Sequence, residues 1–296
     1  MQFSIMPFVR GGVCADPDFM VGLALHAEAL GFESIVAVEH PLVIGGYTSR
    51  YPYAESGRMP LPEDTPIPDP VDLLAFVAGA TSTIGLATGV LILPAHHPVT
   101  LAKRLATVDV LSKGRLRLVV GVGWMREELE ATGATFATRG RRTDESIDVL
   151  RALWADSGPA GASYHGEFFE FAAAHSFPKP ARPGGVPIHI GGHSRASIRR
   201  AAEKGDGWVP LGLRGDDLTL ALSSLRSQAL AAGRDPEAIE ITLPAAATHV
   251  TVDRVQEMEA LGARRVALAI GGTELSEACD ELSALAQRVG LARPVR

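Results

Sequence analysis

The sequence predicts an α/β protein folded as a single (β/α)8 TIM barrel over residues 1–296, with loops inserted after the second and fourth strands. Short apolar runs rich in Val, Ile and Leu alternate with amphipathic segments, as buried parallel strands and their covering helices do. The length of 296 residues suits one such barrel, and no polar linker divides it. The runs number eight: QFSIMPF from Gln2, SIVAVEH from Ser34, GLATGVLIL from Gly85, RLRLVVGVG from Arg115, PIHIGG from Pro187, GWVPL from Gly207, EITLPAAA from Glu240 and RRVALAI from Arg264.

Between these runs the helix signals are specific. Asp16-Pro17 starts the first helix with a capping carboxylate and a proline whose missing N–H costs nothing there, and Gly31 ends it. Asp69-Pro70 opens the second in the same way, and the third runs from Pro98 to the LSKG turn at Gly114. Thr143-Asp144-Glu145-Ser146 is expected to start a long helix through Leu150, Leu153 and Trp154. The segment from Pro41 to Pro68, with Tyr47, Tyr51 and Tyr53, is too long for a simple connection and sits where a substrate-covering lid would. SYHGEFFEF from Ser163 reads as a hairpin inserted before the fifth strand.

A hydrophobic fraction of 46% and a charged fraction of 21% describe a folded chain. The net charge of −6, with no basic run, gives no attraction for nucleic acid or anionic lipid, so neither is an expected partner. Cys14 and Cys279 are far apart and read as free thiols, and no cluster has metal-ligand spacing. With no leader and no spanning stretch in MQFSIMPFVR or beyond, a cytoplasmic location is expected.

Four segments carry candidate chemistry. Glu39-His40 closes the second strand at the end where barrel enzymes place reactive groups, so His40 can accept or donate a proton; a histidine that only bonds loop backbone is the alternative. Gly89 interrupts the third strand, which marks a bulge, a close ligand approach or a narrow barrel layer, and the loop after it holds His96 and His97 as surface or rim groups. At GVGWMREELE a strand ends on Gly121 and Gly123, letting a planar ligand lie against backbone or simply making a tight turn, and Glu127 and Glu128 follow at a helix start. In IHIGGHSRAS, Gly191, Gly192, His193 and Ser194 precede a helix, so backbone N–H groups and the positive dipole end converge on an anion site, with Arg195 as a further contact; an ordinary capped helix is the alternative.

Taken together, VEHPL, the block TGVLILPAHHPVTLAKRLATVDVLSKGRLRLVVGVGWMREELEATG and IHIGGHSRASIRRAAEKGDGWVP resemble the luciferase-like monooxygenase superfamily, closest to its branch of coenzyme F420-dependent oxidoreductases. The resemblance covers nearly the whole chain and is least diagnostic in the last third. It implies a flavin or deazaflavin in the barrel mouth, with a cis peptide bulge at Gly89-Val90 supporting the ring. It also implies glycine turns at Gly121 and Gly123, a phosphate loop at Gly191, Gly192 and Ser194, and Glu39 and His40 facing cofactor and substrate. Many deazaflavin relatives have aspartate where this chain has Glu39. The reading implied is hydride transfer between F420 and a small organic substrate by a homodimer. The rivals are an FMN-dependent luciferase-like monooxygenase and a non-catalytic flavin-binding barrel subunit. A phosphosugar aldolase would need a strand-end lysine, which none of the eight runs supplies.

Overall fold

A computed structural model describes residues 1–155 and 157–291, so the last five residues of the expected domain lie outside the described ones. All eight expected strands form. In chain order, β1 (Gln2–Met6) leads to α1 (Pro17–Leu30), and β2 (Ser34–Ala37) to α2 (Pro70–Ala80). The third barrel strand is broken into β3 (Gly85–Thr88) and β4 (Leu91–Ile92), followed by α3 (Pro98–Leu111). Then come β5 (Leu116–Gly121), α4 (Arg126–Ala131), α5 (Arg139–Trp154), the hairpin of β6 (Ala162–His165) and β7 (Glu170–Ala174), and β8 (Ile188–Gly191). The chain continues through α6 (Arg195–Lys204), β9 (Gly207–Val209), α7 (Gly215–Ala231), β10 (Glu240–Ala246), α8 (Val252–Ala260), β11 (Ala263–Ala269) and α9 (Leu275–Val289).

The barrel strands are parallel and run in the order β3-β2-β1-β11-β10-β9-β8-β5, and pairing of Leu86 with Leu116 closes the ring from β3 to β5. Alternation along each strand divides the core. On β5, Leu116, Leu118 and Val120 pack outward against the helices, while Arg117, Val119 and Gly121 reach the interior. The caps act as the sequence predicts: the Asp16 carboxylate accepts from Asp18 and Phe19, that of Asp69 from Val71 and Asp72, and Gly31 is left-handed at φ 86°.

One boundary differs. Helix α5 begins at Arg139, four residues before the Thr143-Asp144-Glu145-Ser146 signal. Those polar side chains have other tasks. Thr143 and Ser146 donate back to the carbonyls of Arg139 and Arg142 at 2.7 Å, as hydroxyls do inside a helix. Asp144 pairs with Arg199 and Arg200 of α6. Glu145 accepts from the backbone of Glu167, Phe168 and Phe169, which anchors the hairpin.

The barrel floor is ionic. Glu33 accepts from Arg117 at 2.6 Å and from Arg265 at 3.0 Å, and Arg265 also reaches Glu240 at 3.1 Å and Gln2 at 2.6 Å. Burial alone would raise the Glu33 carboxyl, but the charges of Arg117 and Arg265 and their hydrogen bonds win and hold it at about 2. His189, fully buried one layer above, is held well below its ordinary range by burial and by the same two arginines. Cys14 is buried and free, which raises its thiol to about 11, and Cys279 is half-buried and free. No helix among the described residues is long and apolar enough to cross a membrane.

Candidate active site

A cavity of about 1780 Å³ opens at the carboxyl ends of the strands and descends inside the barrel as far as Ser4, Arg117 and Thr242. Its depth follows from the interior side chains above the floor, which are mostly small: Val36, Ala87, Val119, Gly191 and Ala267 leave space that larger residues would fill.

The break between β3 and β4 places a cis peptide bond at Gly89-Val90. The glycines around it are shaped by this residue. A Cβ on Gly121 would lie 2.8 Å from Val90 Cγ2, one on Gly191 would lie 2.6 Å from Val90 Cγ1, and one on Gly89 would lie 2.3 Å from Val36 Cγ1. The Val90 side chain is therefore raised between two strand-end glycines as a platform at the cavity floor of the mouth. Gly121 and Gly191 make room for a side chain first, and for a planar ligand only through it. Gly123, at φ 75°, turns the chain from β5 toward Trp124.

Glu39 and His40 follow β2 and diverge, as neighbours in extended chain do. Glu39 is buried, and its carboxylate accepts from the Ile92 backbone N–H and bonds His96 Nε2 at 2.7 Å. It thereby ties the strand after the cis bond to the second strand. His96, expected at the surface or rim, is partly buried and pairs with the more deeply buried Glu39, while His97 packs edge-on against Phe169 at 5.4 Å. His40 lines the cavity, and its Nδ1 lies 3.0 Å from Glu128 Oε1. Glu128 is 1% exposed on α4, five residues after Gly123. A carboxylate only accepts, so Nδ1 carries a proton and points to Glu128, while Nε2 has no protein partner among the described residues.

The long loop after β2 closes over this pair. Glu127, half-buried beside Glu128, accepts from Ser49 Oγ at 2.7 Å, Thr48 N at 2.7 Å and Thr48 Oγ1 at 2.8 Å, which pins the loop to α4. The Ser49 bond, chiefly, lowers the Glu127 carboxyl to about 2. Of the three tyrosines expected to cover substrate, Tyr51 and Tyr53 line the cavity. Tyr47 does not. It is 7% exposed, its hydroxyl accepts from Met59 N at 2.8 Å, and it packs with Met59 and Met125 in the loop's own small core. Trp124, to which the sequence reading gave no task, joins the lid to the histidine: its ring lies 6.3 Å from His40 and 5.1 Å from Tyr51, Tyr51 is 5.4 Å from Tyr53, and Tyr53 is 5.8 Å from His193. These edge-to-face contacts build a continuous aromatic wall across the mouth. Burial raises the Tyr53 hydroxyl to about 12, so it stays protonated.

On the far side, Ser194 caps α6 by accepting from Ser197 N at 3.1 Å. Gly192, at φ 113°, donates to Val209 O at 3.0 Å and accepts from Trp208 Nε1 at 2.9 Å. The N–H groups left for an anion are those of the first helical turn, with Ala196 at the cavity surface. His193 donates from Nδ1 to Leu211 O at 2.8 Å. Arg195 is not among the residues that line the cavity, whereas Arg200 is. Glu128 as the partner of His40 and the arginines of α4 and α5 are what the sequence reading missed; the only signal was that Glu128 lies five residues after Gly123.

Closed parallel strands, a broken third strand and a helix-end cradle at the carboxyl mouth define a (β/α)8 barrel with its site at the strand ends. The chain belongs to the luciferase-like monooxygenase family, whose model matches residues 1–290. It is 30% identical over 258 residues to an uncharacterized protein of Mycobacterium tuberculosis, covering 87% of this chain and 86% of that protein. It is 34% identical over 167 residues to the F420-dependent hydroxymycolic acid dehydrogenase of the same organism, covering 55% of this chain and 44% of that enzyme. Among solved structures, an F420-dependent secondary alcohol dehydrogenase bound to an F420-acetone adduct superimposes with a TM-score of 0.77 at 16% identity, over 97% of this chain and 98% of that one.

Proposed function

We propose that this chain is an oxidoreductase that moves a hydride between coenzyme F420 and a small organic substrate, with His40 handling the accompanying proton at Nε2. The observation that carries this reading is the His40–Glu128 pair: Glu128 fixes the imidazole at 3.0 Å from one side and leaves the other nitrogen unengaged on a residue that, like Val90, lines the cavity. The residues fit such a cofactor. Val90 offers an apolar platform for a planar ring, and the start of α6 offers N–H groups and a dipole end for a phosphate. When bound, a reduced deazaflavin supplies a hydride-donating carbon.

The chain's own residues divide the remaining work. Val90, held between Gly121 and Gly191, sets the height at which a ring rests. Glu39, with its carboxylate engaged by Ile92 and His96, positions the strand that carries Val90, so proton handling falls to His40 alone. Tyr51, Tyr53 and Trp124 cover the substrate and exclude water. A cytoplasmic homodimer completes the reading.

Titration of the purified chain with F420 and with FMN, followed by cofactor fluorescence, tests it. Saturable F420 binding with weak FMN binding is the expected result; tight FMN binding with no F420 response replaces it with the FMN-dependent alternative, which the same cradle would serve.

A further inference from the structure

Beyond the α6 cradle the cavity has a second cationic wall. Arg126 of α4 and Arg139, the first residue of α5, both lie over the Phe136 ring, at 4.4 Å and 3.6 Å from its centre. Both line the cavity, as does Gly140 beside them. Arg200 of α6 donates to Gly140 O at 3.0 Å, so this wall is joined directly to the helix that forms the cradle.

The two guanidinium groups are unequally satisfied. Arg126 pairs with Glu130 at 3.0 Å. Arg139 makes one hydrogen bond, from Nη1 to Phe136 O at 2.9 Å, and its buried Nε has no partner; among the described residues no carboxylate pairs with it. Burial first, and then repulsion from Arg126, lower its ordinary pKa. The neighbouring arginines show what a committed position looks like: Arg141 pairs with Glu167 at 2.7 Å, and Arg142 donates to Pro94 O at 3.1 Å and stacks on Phe169. Arg139 also opens a helix with no side-chain cap and no acidic residue in its first turn, so nothing local offsets its charge.

We infer that Arg139 and Arg126 form a second anion subsite that takes the carboxylate-bearing tail of the cofactor beyond its phosphate. A planar guanidinium fork held on an aromatic face is preset for carboxylate, and the buried Nε gains its missing acceptor when one arrives. The inference rests on the F420 reading, because F420 carries a lactyl-glutamyl tail past its phosphate and FMN ends at the phosphate. The subsite is therefore where this chain distinguishes the two cofactors.

The test compares binding of glutamylated F420 with that of its deazariboflavin core carrying the 5′-phosphate alone, which keeps the phosphate and lacks the tail, by fluorescence titration. Arg139→Gln should weaken F420 at least tenfold while changing the core less than twofold, and Arg126→Gln, on a half-exposed side chain, should reproduce the direction with a smaller effect. Arg139→Lys should restore part of the loss, and the salt dependence of F420 binding should flatten in Arg139→Gln. Equal binding of F420 by wild type and Arg139→Gln overturns the subsite alone. Equal weakening of F420 and core overturns it as well, since that marks a distorted pocket. A wild type that binds no F420 overturns the cofactor reading and the subsite together.

Discussion

The floor and the mouth of this barrel use similar side chains to opposite ends. At the floor, Glu33 gathers Arg117 and Arg265, and Glu240 adds to Arg265, so the carboxylates and arginines face one another. At the mouth, Glu128 engages only one nitrogen of His40, and Arg139 has no acidic partner among the described residues. Charges that close on themselves hold strands in place. Those that stop one atom short leave an atom for a ligand.

The largest expected effect comes from breaking the floor. Glu33→Gln leaves two buried arginines without their shared counter-charge and should cost about 3–5 kcal/mol in denaturant unfolding. An unchanged midpoint would mean that the floor is not a structural network. The pH dependence has a defined sign. The Glu33 carboxyl drops from 4.5 to about 2 on folding, so its stabilisation is complete above pH 4.5 and is lost as the pH falls toward 2. Wild type should lose on the order of 3 kcal/mol across that window, and Glu33→Gln should show a flatter acid limb in the same scan. At the mouth, Gly121→Ala puts a Cβ 2.8 Å from Val90 Cγ2 and should cost about 1–3 kcal/mol through overpacking; cofactor titration should show a larger loss than the thermal shift alone explains. The smallest effect should be that of Glu127→Ala, a half-buried loop tether whose loss changes stability by about 0.5 kcal/mol. Limited proteolysis should nonetheless cut the loop around Thr48 and Ser49 faster, and an unchanged cleavage rate would remove Glu127 as the loop's anchor.

The barrel was legible because its signals are local. Each strand is a short apolar run, the Asp-Pro pairs at 16–17 and 69–70 cap their helices within three residues, and Gly89 marks the strand break from within its own run. The site was legible only in outline. His40 could be placed at a strand end, yet its partner Glu128 is 88 residues away, and the residues that occupy Glu39 lie 53 and 57 residues away. Tyr47 and Tyr51 look alike in sequence, and only the Met59 backbone bond shows that Tyr47 is spent inside the loop. The start of α5 misled for a related reason: Thr143 to Ser146 has the composition of a cap, while its side chains bond backward along the helix or across to α6 and the hairpin.

Steady-state turnover of His40→Ala, measured beside its F420 affinity, decides the claim that His40 presents a free Nε2 to a bound cofactor and substrate. Turnover should fall by roughly 100-fold or more while the dissociation constant stays within about tenfold, about 1.4 kcal/mol. Undiminished turnover in His40→Ala would contradict the claim.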